Sequence, residues 1–146
     1  MLRRAVIAVM VLMIGIQFVP YGHDRSNPPV TQDAPWPSAE ARRIAKGACY
    51  DCHSNETKWQ WYDKPAPASW LVQNDINQGR DKLNFSEWGS GNEDHLAEAV
   101  EDGSMPPRPY RLLHPGARLS AKEKAALIKA LAELEGSGGH NQGRDD

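Results

Sequence analysis

The sequence predicts a small all-α domain behind an apolar N-terminal segment, and three observations carry that prediction. Apolar residues after Ser38 recur at helical spacing, with no alternating run long enough to make a strand. Capping residues and glycine stops bracket the same stretches. The connections between them are rich in Pro and Trp: the 146 residues include 11 Pro, 12 Gly and five Trp against only two Phe. That is the composition of a small loop-rich fold, which needs a staple as well as a core.

Charge narrows the function classes. The formal net charge is -2 from 17 basic and 19 acidic residues; Arg3 and Arg4 precede the apolar run, so from His23 onward 15 basic residues face 19 acidic ones, a balance of -4. No basic stripe interleaved with aromatics is present, which excludes tracking of a nucleic-acid backbone. A weakly acidic surface suits basic protein partners.

The elements follow in chain order. Residues 5–19 (AVIAVMVLMIGIQFV) are apolar apart from Gly15 and Gln17, and two arginines stand just before them, the plan of an export signal. The following QFVPYGHDR has no A-x-A-like cleavage pair. Residues 1–22 are therefore read as an uncleaved membrane anchor, with a cleaved signal peptide as the alternative. The run is short for a span, which takes about 17–25 residues, though Leu2 and residues 20–22 extend it. Arg3 and Arg4 are expected on the cytoplasmic side and the rest outside. Residues 23–37 carry Pro28, Pro29, Pro35 and Pro37 and read as an extended tether.

A domain over residues 38–135 comes next. Ser38 caps a first helix with Ala41, Ile44, Ala45 and Ala48 on one face. Residues 55–67, with Trp59, Trp61 and Tyr62, read as an ordered aromatic loop. Ser69 is placed as the cap of a helix bearing Trp70, Leu71, Val72 and Ile76, with Gly79 as its stop; Leu83, Phe85 and Trp88 continue the apolar side. Asn92 is expected to cap a short helix with Leu96, Ala99 and Val100, closing at Gly103. The last helix starts at a capping box, Ser120 and Glu123, carries Leu127, Ile128, Leu131 and Leu134, and is expected to end at Gly136. The tail, residues 136–146, is Gly-rich and polar and is expected to be disordered.

One motif carries chemistry. Cys49-Tyr50-Asp51-Cys52-His53 is C-x-x-C-H, the attachment signature of c-type haem, and it uses both cysteines of the chain. The two thiols add to the vinyl groups on one edge of the porphyrin, and the adjacent imidazole turns under the ring to meet iron. A thioredoxin-like pair is the first competitor, but it expects a βαβ setting. A zinc site would need a fourth ligand from His23, His95, His114, His140 or carboxylates at no recognisable spacing. A plain disulfide would close a very small loop and contribute little.

For a sixth iron ligand, Met105 is the candidate outside the apolar segment that holds Met1, Met10 and Met13. It precedes Pro106 and Pro107, which favours an extended loop able to hold a sulfur against the haem, and His/Met ligation raises the reduction potential as in electron-transfer cytochromes. Core filling is the alternative role for Met105. His95, in the first turn of an acidic helix, and His114, a loop hydrogen-bonder, are the rival ligands. Trp59, Trp61, Trp70 and Trp88 are expected to wall the cofactor, with indole N–H groups on propionates or carbonyls, and an electron-tunnelling surface is the alternative. Arg80, Lys82, Arg108 and Arg111 either neutralise propionates or lie solvated.

The arrangement resembles a monohaem cytochrome c, and more closely the bacterial membrane-anchored family with a "haem-binding domain". The matching stretches are NPPV (residues 27–30), CYDCHSNETKWQWY (49–62), PAPASWLVQNDINQGRDKLNFSEW (65–88), MPPRPY (105–110) and LLHPGARLSAKEK (112–124). The resemblance implies a cytochrome c-like helical domain around one covalent haem c. In that fold the first and last helices cross, so that Ala41, Ile44 and Ala48 meet Leu127, Ile128 and Leu131. Cys49 and Cys52 become the attachment sites, His53 the proximal ligand and Met105 the distal one. The expected function is single-electron transfer between redox protein partners at the outer face of a bacterial inner membrane, in the periplasm or its equivalent. The alternative is a haem sensor or peroxidase-like enzyme with a displaceable Met105.

Overall fold

The computed structural model describes residues 1–91 and 93–138. Its helices are α1 (Leu2–Gly15), α2 (Ala39–Ala48), α3 (Tyr50–His53), α4 (Ala68–Lys82), α5 (Leu96–Glu101), α6 (Arg108–Leu113) and α7 (Ala121–Gly138). Short 3₁₀ turns lie at Ile16–Phe18, Trp61–Asp63 and Pro115–Ala117. Among the described residues there is no strand, only one isolated bridge between Gln32 and Glu87. The architecture is all-α.

The caps act as their chemistry dictates. Ser38 Oγ accepts from the Ala41 N–H at 3.1 Å and opens α2. At α7 the Ser120 N–H donates to Glu123 at 3.0 Å and the Glu123 N–H donates back to Ser120 Oγ at 3.3 Å. Gly103, at φ +79°, ends α5 in the left-handed region that side chains avoid. Ile44, Ala45, Leu127, Leu131 and Leu134 share one core with Val100, and α7 packs on both α2 and α5. Four aromatic rings extend that core: Phe85 lies 5.4 Å from Tyr50 and 6.2 Å from Trp88, both stacked, and 5.1 Å from Trp36.

Several expectations need correction. Ser69 does not cap α4, which begins at Ala68 with Pro67 at the cap position; Ser69 is buried instead. Gly79 does not end α4 but lies inside it, because a Cβ there would run into the Cys52 carbonyl oxygen of α3. α7 runs past Gly136 to Gly138, and the remainder of the tail, like the Asn92 cap, lies outside the described residues.

Residues 27–37 are no free tether. The N–H groups of Thr31 and Gln32 donate to the Ser86 carbonyl at 3.0 and 3.1 Å, Ala34 donates to Phe85 at 2.8 Å, and Trp88 donates to Gln32 at 2.9 Å. Asp33 accepts from Arg42 at 2.7 Å, and Trp36 Nε1 donates to Tyr50 Oη at 2.9 Å. Proline removes donors from such a segment but leaves its carbonyls and the other N–H groups free to strap onto a neighbouring loop. At the N-terminus no described helix is long and apolar enough to cross a membrane.

Candidate functional site

The C-x-x-C-H segment is wound into one helical turn. The Cys49 N–H closes α2 on the Ala45 carbonyl at 2.7 Å, and the Cys49 carbonyl accepts from Cys52 at 3.2 Å and His53 at 2.9 Å. Positions three apart on a helix share a side, so the two thiols face one way. Both are free, not joined as a disulfide. Loss of water around the sulfurs pushes both thiols up to about 12. Among the described residues no three His, Cys, Asp or Glu side chains gather as a metal site.

His53 is held by backbone that the sequence pattern did not reveal. Its Nδ1 lies 3.0 Å from the Gly79 carbonyl and 3.2 Å from the Leu83 carbonyl. Both partners only accept, so Nδ1 carries the proton and Nε2 presents a lone pair. Burial lowers the imidazole's proton affinity and keeps it neutral. A neutral imidazole, oriented through its second nitrogen by a carbonyl, is the usual form of a metal-ligating histidine. Phe85 meets the ring edge-on at 6.5 Å. The helix rule that made Gly79 a stop is the reason the contact was missed: the missing side chain lets α4 approach α3 until the Gly79 carbonyl reaches His53.

Around this turn the loop after the motif is clamped. Arg80 Nε donates to the Ser54 carbonyl at 2.9 Å, and its Nη2 donates to Thr57 Oγ1 at 3.0 Å and Asn27 Oδ1 at 3.2 Å. Arg80 is therefore an internal brace rather than a free propionate partner. Lys82 stays exposed. The tryptophans divide: Trp88 is buried in the core and Trp61 is 77% exposed, so neither fits the expected wall. Trp59 and Trp70 are half-buried, and each has a buried indole N–H without a partner.

Met105 sits on the loop after α5, its N–H on the Ala99 carbonyl at 2.8 Å. Its side chain, 37% exposed, lines a cavity of about 520 Å³ together with Arg108, Arg111, Leu112 and Leu119. Cys49, Cys52 and His53 do not line that cavity. The link between the two regions is Tyr110 of α6, whose Oη donates to Asp51 Oδ2 at 2.8 Å. Tyr110→Phe is expected to cost about 1.5–3 kcal/mol, the range for a bond to a charged acceptor, read from the denaturant midpoint. A loss below about 0.5 kcal/mol would show that the bond does not tie α6 to the motif.

The rival histidines are engaged elsewhere. His114 Nδ1 faces the Tyr110 carbonyl at 3.0 Å, its Nε2 bonds Tyr62 Oη at 2.9 Å, and its ring stacks on Tyr110 at 3.7 Å. It is the loop hydrogen-bonder expected from its position. His95, at φ 62°, is exposed and pairs with Glu98 at 3.0 Å.

The residues fit a haem. A neutral imidazole with Nε2 free stands one residue after the free thiol of Cys52 and four after that of Cys49, and two orphan indole N–H donors match carboxylate acceptors of the propionate kind. No curated protein and no solved structure matches the chain. The family model described as haem-binding domain matches residues 11–133, which contain the motif, the Met105 loop and most of α7. The chain belongs to the haem-binding domain family.

Proposed function

We propose that the chain is a monohaem c-type cytochrome that passes single electrons between redox protein partners, held at the outer face of a bacterial inner membrane by its N-terminal helix. The observation that carries this reading is His53: its Nδ1–H is shared by two carbonyls inside a C-x-x-C-H turn whose thiols are both free. Bound there, haem c supplies reversible one-electron chemistry at iron. Cys49 and Cys52 would hold it through their sulfurs, and His53 Nε2 would ligate the iron. Met105 would supply the second protein ligand, and His/Met ligation raises the potential. Trp59 and Trp70, whose buried indole N–H groups lack partners, would donate to the propionates. Arg108 and Arg111 line the same cavity as Met105 and would add positive charge beside it.

Met105→Ala tests the axial pair. Matured with covalent haem, this variant is expected to lose the far-red sulfur-to-iron band of the oxidised protein and to fall in reduction potential, with haem content unchanged. An unchanged spectrum and potential would identify another sixth ligand. The second reading, a sensor or peroxidase-like site, draws on the exposure of Met105 beside an open cavity. Fast CO binding by the reduced wild-type protein at neutral pH would favour it; resistance to CO favours electron transfer.

A further inference from the structure

The N-terminal helix is docked on the folded body at one seam. Gln17 Nε2 donates to the Ala66 carbonyl at 3.0 Å, and Gln17 Oε1 accepts from the Ala66 N–H at 3.0 Å, a reciprocal pair between a side chain and a backbone. Gly22, at φ +77°, packs so closely that a Cβ would stand 2.7 Å from the Ser69 carbonyl oxygen. Arg25 Nη2 donates to the carbonyls of Asp63 at 3.3 Å and Lys64 at 3.2 Å. Three successive points therefore bind residues 17–25 to residues 63–69.

Exposed large apolar side chains collect along this seam. Phe18 (81%) and Tyr21 (45%) lie on the N-terminal side, and Trp61 (77%) and Leu71 (67%) flank the docked loop. Above them α1 exposes Val9, Met10, Val11, Leu12, Met13 and Ile14 in unbroken succession. Steps of 100° per residue carry such a run around every side of a helix, which leaves no polar face; a partner helix covers one stripe, whereas lipid covers all of it.

Length sets the depth. From Arg4 to Gln17, through α1 and into the following 3₁₀ turn, the helix rises only about 20 Å at roughly 1.5 and 2.0 Å per residue, well short of the ~30 Å hydrocarbon core of a bilayer. With Arg3 and Arg4 at the far headgroups, Gln17 and the seam are drawn into the near interface. Trp and Tyr are the residues that settle there.

Resting on the anchor reading above, we propose that Gln17 and Gly22 lock the domain against the bilayer, so that Trp61 and Leu71 sit in the headgroup layer and fix which side of the haem domain faces outward. The lipid chemistry is that of an anionic bilayer, with exposed Lys64 in the seam itself.

The test uses the full-length holoprotein in vesicles of phosphatidylethanolamine and phosphatidylglycerol. Trp61, Leu71 or the exposed Lys129 of α7 is replaced in turn by photoreactive benzoylphenylalanine, and lipid adducts are measured by mass spectrometry after vesicle flotation. Adducts are expected at positions 61 and 71 and none above background at 129. Gln17→Leu keeps the apolar run, so it is expected to float as well as wild type while adducts at 61 and 71 fall about tenfold, as two hydrogen bonds are lost. Flotation without adducts at 61 and 71, or equal adducts in Gln17→Leu, overturns the locked orientation alone. Failure of the wild type to float overturns the anchor reading and the orientation with it.

Discussion

Replacing Cys49 and Cys52 together by alanine is expected to leave a chain that yields no haem-bearing polypeptide after denaturation and extraction, and that does not fold stably. The first effect follows from the proposed thioether attachment. The second follows from the size of the core. Its largest fully buried side chains are few: Tyr50 of α3, Ile76 of α4, Phe85 of the following loop, and Leu127 and Leu134 of α7. Tyr50 belongs to the attachment turn, and Phe85 stacks on it and meets the His53 ring edge-on. A linked porphyrin that packs only in the folded state adds apolar contacts this small core lacks, against a total of about 5–15 kcal/mol for a domain. Circular dichroism and denaturant titration of the double variant decide the matter. A cooperative transition at the wild-type midpoint would show that the helices hold together without the covalent link and that the staple argument is wrong for this chain.

What was legible in the sequence was whatever depends on neighbours along the chain. Ser38 and the Ser120/Glu123 box cap the helices that their spacing marks, and Gly103 ends α5, since caps and stops are local hydrogen-bond chemistry. The C-x-x-C-H turn was legible for the same reason. Contacts across the chain were not. Gly79 has the local signature of a helix stop, and only the approach of Cys52 from a segment 27 residues away explains why a glycine sits mid-helix. Pro28 to Pro37 has the composition of a tether, yet its remaining N–H and C=O groups pair with Ser86, Phe85 and Trp88. Trp59 and Trp61 look alike in sequence, but one hides an unpaired indole and the other faces outward. Met105 was picked out by elimination among four methionines, and the structure adds its cavity and its basic neighbours rather than a contact with His53.

The docked N-terminus and the oriented His53 imply different kinds of rigidity. Electron transfer between partners needs a haem edge presented at a steady distance. A domain swinging on a Pro-rich tether samples many orientations, whereas one fixed at Ala66 and Ser69 samples few. Under the proposed reading the partners come to the haem domain, and the strapped residues 27–37 belong to the scaffold that holds the site still.

Gly79→Ala isolates the contact on which that scaffold turns. In an exposed helix interior the same change would stabilise by up to about 1 kcal/mol, because alanine is the better helix former. Here the new methyl meets the Cys52 carbonyl, a backbone atom that cannot rotate away, so α4 must slide off α3. Overpacking against backbone costs about 1–3 kcal/mol or more, and the slide also withdraws the Gly79 carbonyl from His53 Nδ1, now at 3.0 Å. The net expectation is a loss of about 2 kcal/mol in the denaturant midpoint. A shift in the reduction potential should accompany it, since a weaker bond at Nδ1 makes Nε2 a poorer donor to iron. The two readouts separate the roles of the residue. Loss of stability at an unchanged potential would mean that Leu83 alone orients the imidazole, its carbonyl standing 3.2 Å from the same nitrogen. A gain in stability would mean that α3 and α4 part without cost, and the close approach that places His53 would have to be abandoned.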